Sequence, residues 1–434
     1  MTGGPLRAAA EAAIATYAAD NPASARRHEQ ASRVMPGGNT RSILHFAPFP
    51  LGFERGEGAH LWSLDGRRYV DFLGEFTAGL YGHSQPAIIE ALHAALDRGL
   101  NFGGVNDLEP RLAGLLCDRF PSLELVRFTN SGTEANLMAL ALARHHTGRS
   151  KILVFKGGYH GGVLTFAERP SPVTVPHDWV VGDYDDVDGP RALIQGHRGE
   201  LAAVLVEPML GSGGCIPASP EFLEMLRAET TSTGAVLVFD EVMTSRLSHG
   251  GLQTALGITP DLTTVGKYLG GGMSFGAFGG RADLMAAYDP TRPGSLFHAG
   301  TFNNNVLTMS AGIAGLEQVL DEPSLTAVNV RGDRLRSRLN GVAREAGLPL
   351  HVSGRGSLMN IHPATTPLNA AYPLTPQQED ARTLVFFELV NRGFWLARRG
   401  LLTVNLPTTE EHVDALVGAW TEIVDQHAEA FRGL

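Results

Sequence analysis

The stretch Leu262-Thr263-Thr264-Val265-Gly266-Lys267-Tyr268-Leu269-Gly270-Gly271-Gly272 sets an apolar run directly before a lysine ringed by glycines. Such a run reads as a buried strand, and in an open α/β sheet ligands gather outside the carboxyl ends of the strands, where Lys267 emerges. The glycines do not form a nucleotide loop. A P-loop would need glycine at 261 and serine or threonine at 268, and those positions hold Asp261 and Tyr268. Nor is G-x-G-x-x-G satisfied, because the third glycine position counted from Gly270 is Phe275. The whole chain has three lysines, Lys151, Lys156 and Lys267. The first two flank the run 152–155 and read as solvated strand ends. Lys267, among glycines and small apolar residues, is the one placed for partial desolvation, which lowers an amine's pKa and favours imine chemistry.

Outward from this segment, short apolar runs at 125–128, 152–155, 202–206, 236–239 and 262–265 alternate with helical patterns. That alternation predicts a mostly parallel, doubly wound sheet. Residues 6–34 carry alanine clusters with Arg and Glu at helical spacing, an N-terminal helical arm closed by Pro36-Gly37-Gly38. Between 52 and 71, short runs around Asp65-Gly66 predict a small antiparallel sheet. Beyond 325 come a helix, strands near 357–362, 394–398 and 401–405, and a last helix from about 409. Three regions follow: a helical arm with a small-domain segment (1–84), a large domain (85–325) and a C-terminal α+β domain (326–434). The Pro-, Thr- and Gln-rich stretch 363–378 is the candidate disordered stretch.

Composition narrows the function. Of 434 residues, 43% are hydrophobic and 18% charged, which fits a globular protein rather than a disordered one. A net charge of -10 leaves no basic footprint for nucleic acid and no polybasic membrane anchor, so small-molecule partners are expected. Two cysteines, Cys117 and Cys215, are too few for a disulfide framework or a Cys-rich metal site. With no apolar window long enough to span a bilayer, the chain reads as cytoplasmic and free of metal.

Four strand ends carry functional groups. Asp240 follows the run 235–239, and a carboxylate there needs a partner: a helix N-terminus, an arginine such as Arg246, or the ring nitrogen of a cofactor. Glu207-Pro208 follows 204–206, and Tyr159-His160 lies in Gly157-Gly158-Tyr159-His160-Gly161-Gly162. After the run 125–128, Ser131-Gly132-Thr133-Glu134 opens a helix with capping-box spacing; an ordinary capped helix reads the same way, but its free N–H groups also make a ready anion site.

The ordered set Ser131-Gly132-Thr133, Tyr159-His160-Gly161, Glu207-Pro208, Asp240-Glu241-Val242, Lys267 and His298-Ala299-Gly300-Thr301 resembles the class III (ω-type) aminotransferases, over nearly the whole chain. Its phrases are most similar to the β-phenylalanine (aromatic β-amino acid) branch, with glutamate-1-semialdehyde aminomutase-like proteins beside it. The resemblance implies fold type I: a large domain with a mostly parallel seven-stranded sheet flanked by helices, plus a smaller α+β domain from both chain ends. It implies pyridoxal 5'-phosphate as cofactor, with Lys267 as the Schiff-base lysine and proton shuttle. Asp240 would pair with the ring nitrogen, Tyr159 would stack on the ring with His160 beside it, and Glu207 would order the polar groups around it. Ser131, Gly132 and Thr133 would hold the phosphate, and Thr301 would reach the phosphate of a neighbouring subunit in a homodimer whose sites lie at the interface.

By the same resemblance Arg41 receives the substrate carboxylate, and of Arg398 and Arg399 the latter is the substrate-proximal one; a guanidinium suits a carboxylate through two parallel hydrogen bonds. The implied reaction moves an amino group from an aromatic β-amino acid to 2-oxoglutarate or pyruvate. The alternatives are an aminomutase, a transaminase for another amine, and a non-catalytic cofactor-binding protein. Two departures favour the β-amino acid branch: Met243-Thr244-Ser245-Arg246 stands where many of the class carry x-Thr-Gly, and Phe302-Asn303-Asn304-Asn305 stands where the aminomutases carry Ser-Gly-Asn-Pro.

Overall fold

The computed structural model describes residues 4–167, 170–364 and 368–434. Their contacts divide into two units: the described residues of Met1–Gln85, Val328–Pro367 and Pro373–Leu434, and those of Pro86–Ala327 and Leu368–Tyr372.

The second unit is built on a seven-stranded sheet in the order Leu125–Thr129, Gly276–Gly280, Leu262–Gly266, Val236–Asp240, Leu201–Val206, Lys151–Phe155, Asp178–Gly182. All neighbours run parallel except around Gly276–Gly280, which is antiparallel to both of its partners. Alternate side chains enter two cores. Ile152, Val154, Ala203, Leu205, Val236 and Val238 pack on one face with helix Gly132–Thr147, and Leu153, Phe155, Val204, Val206, Leu237 and Phe239 on the other with helix Pro220–Thr233. Burial of both faces is what a parallel sheet requires, and it explains why these strands read as continuous apolar runs.

Two of the seven strands lie outside the five apolar runs. Asp178–Gly182 begins with an exposed aspartate and is only partly buried. Gly276–Gly280 reads Gly-Ala-Phe-Gly-Gly, a composition that signals a loop, yet a side chain is sterically barred there. A Cβ at Gly276 would lie 2.1 Å from the Ser131 carbonyl oxygen, and one at Gly280 would lie 2.2 Å from that of Asp261. The glycines set the close approach of this strand to its neighbours.

The first unit contains helices Pro5–Asp20, Pro22–Ser32, Pro376–Asn391 and Glu410–Phe431. Strands Phe53–Glu57, His60–Ser63 and Arg68–Asp71 form the antiparallel sheet expected between 52 and 71, extended by Phe394–Trp395 in parallel; a second sheet joins His351–Arg355, Leu358–His362 and Leu401–Thr403. An aromatic cluster of Tyr17, Phe46, Phe49, Phe386, Phe387 and Trp395 fills its core, with ring centroids 5.0–6.5 Å apart. The stretch 363–378, read as a candidate for disorder, is ordered at its end, where Thr375 caps the Pro376–Asn391 helix in a full capping box; residues 365–367 lie outside the described ones. Among the described residues no helix is long and apolar enough to cross a membrane.

Replacing Gly276 by alanine should force the Gly276–Gly280 strand away from the Ser131 turn, at a cost of about 1–3 kcal/mol or more in unfolding free energy. Urea denaturation measures it, and a loss below about 0.5 kcal/mol, ordinary for a surface change, would show that the approach is not rigid.

Candidate active site

Val236–Asp240 and Leu262–Gly266 are adjacent parallel strands, so Asp240 and Lys267 leave the sheet side by side at its carboxyl edge. Asp240 is 5% exposed. Its Oδ2 accepts from Asn136 Nδ2 at 2.8 Å and bonds His160 Nδ1 at 2.8 Å; its Oδ1 accepts from the Val242 backbone N–H at 3.0 Å. These partners are Asn136, His160 and Val242; Arg246, the arginine considered as an alternative, is not one of them. A buried carboxylate so held stays in place, and Oδ1 keeps capacity for one more donor.

Asn136 is the organising residue that the strand-end pattern missed. Its amide also donates to the His160 carbonyl at 3.0 Å and accepts from Thr264 Oγ1 at 2.7 Å, tying helix, loop and strand to Asp240. The signal was present but indirect: Asn136 is a polar residue on the helix face otherwise buried through Ala135, Ala139, Leu140 and Ala143.

Glu207 lies on the next strand's exit, fully buried, with Oε2 accepting from the Tyr159 N–H and Oε1 from the Gly211 N–H, both at 3.0 Å. Burial pushes its carboxyl up to about 7; the His160 ring opposes that rise and the Asp240 carboxylate adds to it. The Tyr159 ring above it is 44% exposed, an open aromatic face beside a buried polar group.

The Ser131 turn is closed as its spacing predicts on one side only. Ser131 Oγ accepts from the Glu134 N–H at 3.2 Å, but the Glu134 carboxylate reaches past Ser131 to the Asn130 N–H at 2.9 Å. Neighbouring chain crowds this turn. A Cβ at Gly132 would lie 2.7 Å from Val242, one at Gly161 would lie 2.1 Å from Thr133 Oγ1, and one at Gly266, the residue before Lys267, would lie 3.7 Å from the Gly132 nitrogen. The phosphate-type turn and the lysine are therefore neighbours.

Lys267 itself has φ +57, a left-handed conformation that costs a non-glycine residue about 1–2 kcal/mol. The next residue pins it. Tyr268 is 1% exposed, its hydroxyl donating to the Ser245 carbonyl at 3.0 Å and accepting from Arg119 Nη2 at 3.1 Å. Lys151 pairs with Asp178 and Lys156 with Asp183 at the far strands.

Asp240, His160, Tyr159, Glu207, Lys267 and the Ser131–Thr133 turn are thus brought together. Thr301 is exposed, and no described contact joins it to them; the nearest link is Asn303, whose Oδ1 accepts from Asn130 Nδ2 at 2.9 Å. Arg41 and Arg399 belong to the other unit, where both guanidiniums lie over the Phe76 ring, 5.0 and 5.5 Å from its centroid. Arg398 instead donates to Glu379 at 2.8 Å and Thr383 at 2.7 Å. Phe76 sits in a turn with four successive positive φ values, Gly74 (+53), Glu75 (+46), Phe76 (+52) and Thr77 (+80). Three of these are not glycine, at about 1–2 kcal/mol each.

The second unit's set fits a ligand with an anionic end and a basic ring nitrogen. The helix N-terminus suits the anion, the spare Asp240 oxygen the protonated nitrogen, the open face of Tyr159 the ring, and Lys267 a carbonyl carbon.

Comparison with known proteins gives a consistent answer. The family model described as aminotransferase class-III matches residues 45–168 and 188–424. A β-phenylalanine transaminase of Variovorax paradoxus is 54% identical over 407 residues, 94% of each chain, and the crystal structure of a β-phenylalanine aminotransferase from that organism superposes with a TM-score of 0.96 over 98% of both chains. A glutamate-1-semialdehyde 2,1-aminomutase of Rhodopirellula baltica is 34% identical, over 94% of this chain and 97% of its own. A solved structure described as a transaminase with PLP bound matches at 32% identity and a TM-score of 0.86, over 95% of this chain and 99% of its own.

Two outcomes are expected. Asn136→Ala removes one of the three donors to Asp240 and the acceptor of the buried Thr264 hydroxyl, and should cost about 1–3 kcal/mol of stability, read by denaturation. The folded-state pKa of Glu207 is raised, so its stabilising contribution is present at low pH and is lost as pH rises from the usual carboxylate range through about 7. The Tm of the cofactor-free protein should therefore fall less between pH 5 and pH 8 in Glu207→Gln than in the unaltered chain; parallel pH profiles would contradict the assignment.

Proposed function

This chain belongs to the class III aminotransferases, which act with pyridoxal 5'-phosphate, and from that premise we propose that it transfers the amino group of an aromatic β-amino acid, such as β-phenylalanine, to 2-oxoglutarate or pyruvate. The observation that carries the substrate is the 54% identity to a β-phenylalanine transaminase across 94% of the chain, against 34% to an aminomutase.

In this reading, bound pyridoxal phosphate supplies the electron sink that lets the carbon bearing the amine give up a proton. Asp240, held in position by Asn136, His160 and Val242, would pair with the ring nitrogen of the bound cofactor. Lys267 would hold the carbonyl carbon of the cofactor until the donor amine takes its place, and its freed Nζ would then carry the proton from the donor carbon to the cofactor within the same half-reaction, the reverse transfer serving the keto acid. Tyr159 excludes water from one ring face. Ser131, Gly132 and Thr133 bind the phosphate with backbone N–H groups and hydroxyls. Glu207 holds the Tyr159 and Gly211 amides and so fixes the backbone beside Asp240. Arg41 takes the substrate carboxylate, and Arg399, on the same aromatic ring, is the better placed of the adjacent arginines because Arg398 is occupied by Glu379.

We also read the protein as a homodimer with Thr301 reaching across. Support comes from a contiguous set of exposed apolar side chains on two laced segments: Leu100 (47% exposed), Phe102 (54%) and Val105 (92%) with Phe297 (89%) and Phe302 (55%). The Val306 N–H donates to the Leu100 carbonyl at 3.1 Å and Asn106 Nδ2 to the Asn304 carbonyl at 3.2 Å, so the segments form one surface. Apolar side chains left so bare mark an association site. Cys117 and Cys215 are not joined in a disulfide, which suits a cytoplasmic location.

An absorbance spectrum of the purified protein tests the reaction. With racemic 3-amino-3-phenylpropanoate and no keto acid, the yellow form should bleach, return on adding 2-oxoglutarate, and be absent in Lys267→Ala. A yellow protein indifferent to this donor, or one that turns over without an added acceptor, would favour another amine or the aminomutase reaction.

A further inference from the structure

The left-handed turn around Phe76 points to a residue with a role of its own. Four successive positive φ values persist only where the surroundings over-determine them, and such strain is a pointer to function. Here the frame is explicit. Asp71 Oδ1 accepts from the Leu73 N–H at 2.8 Å and the Gly74 N–H at 3.0 Å, and the Gly79 N–H closes on the Gly74 carbonyl at 2.8 Å. A Cβ at Gly74 would strike Asn405 and Thr403 at 2.6–2.8 Å, and Thr77 is fully buried. The turn is thus fixed at both ends while Glu75 in its middle faces solvent, its side chain 61% exposed.

What the outward part does is pair with Arg41. The Glu75 carboxylate accepts from Arg41 Nη1, and Arg41 lies over the Phe76 ring. A strained backbone is a poor way to obtain an ordinary surface ion pair, since exposed pairs contribute little to stability. It is a good way to keep a carboxylate beside a guanidinium that another carboxylate can take over.

We infer that Glu75 is a resident counter-ion for Arg41: its carboxylate occupies the seat of the substrate carboxylate and is displaced by the substrate. This rests on the reading of Arg41 as the substrate-carboxylate residue. Because the pair is exposed, the exchange is inexpensive, and an incoming carboxylate gains two parallel hydrogen bonds to the planar guanidinium. An amine without a carboxylate cannot make the exchange, so Glu75 stays in place. Glu75 is thereby a specificity-determining residue that raises the apparent dissociation constant of carboxylate ligands and screens Arg41 between turnovers. Phe76 keeps the guanidinium in position in both states.

The test uses the holoenzyme and 3-phenylpropanoate, which has the carboxylate and aryl group but no amine to transfer, with its dissociation constant read by calorimetry. Glu75→Gln, nearly isosteric and on an exposed side chain, should bind it about two- to five-fold more tightly, the size of effect an exposed ion pair exerts. Arg41→Ala should weaken binding, and in the Arg41→Ala background the Glu75→Gln gain should vanish, because the effect works through the occupied seat. If Arg41→Ala weakens binding but Glu75→Gln leaves it unchanged or weaker, or if the gain survives without Arg41, the resident counter-ion is overturned and the Arg41 reading stands. If Arg41→Ala has no effect on binding, the substrate-carboxylate reading falls and takes this inference with it.

Discussion

A carboxylate at the exit of a strand buried on both faces must be neutralised or tied down by donors, and the arrangement around Asp240 follows from that requirement. Its Oδ2 receives two side-chain donors from elsewhere in the chain, Asn136 on a helix and His160 on a loop. Each of those donors is itself held: Asn136 accepts from Thr264 on the neighbouring strand, and the His160 carbonyl accepts from Asn136. The network therefore closes on itself, and a rigid carboxylate is its product. Glu207, one strand away, is satisfied by two backbone amides instead and is raised toward neutrality by burial. The two carboxyl groups are thus held by different donors, two side chains and one backbone amide at Asp240 and two backbone amides at Glu207.

The sequence shows the strand ends well because a parallel sheet buried on both faces writes itself as apolar runs, and a polar residue straight after such a run stands out. Lys267, Asp240 and Glu207 were legible for that reason. Asn136 was not, because it lies inside a helix where a polar residue more often faces water; only its place on the buried stripe gives it away. The strand Gly276–Gly280 was hidden for the opposite reason. Its glycines are required by close backbone approach to the Ser131 turn, Leu125 and Asp261, and glycine carries no apolar pattern. The turn at Glu75-Phe76-Thr77 was beyond reach altogether, since three ordinary side chains give no sign that their backbone is left-handed.

Local strain recurs at both groups of functional residues, and in each case a buried neighbour maintains it. Lys267 is left-handed beside Tyr268, whose hydroxyl is fixed by Ser245 and Arg119. The Glu75-Phe76 pair is left-handed between Gly74, packed on Asn405 and Thr403, and the fully buried Thr77. In both places a left-handed residue sits beside a buried neighbour that is anchored, so the conformation is held by a residue other than the one proposed to act.

The antiparallel strand Gly276–Gly280 also has a bearing on how the molecule comes into being. It pairs Thr129 with Gly276 and Leu125 with Gly280, and so joins segments about 150 residues apart in the chain, a separation of the kind that slows folding. Until the ribosome has released residue 280, the Leu125–Thr129 strand has no partner in this sheet and the Ser131 turn lacks the backbone it packs against. The Ser131 turn, proposed above to hold the cofactor's phosphate, is thus among the last features of the large sheet to be completed. A nascent chain cannot offer a finished turn early in synthesis, so in that reading the cofactor is loaded after most of the chain has been made.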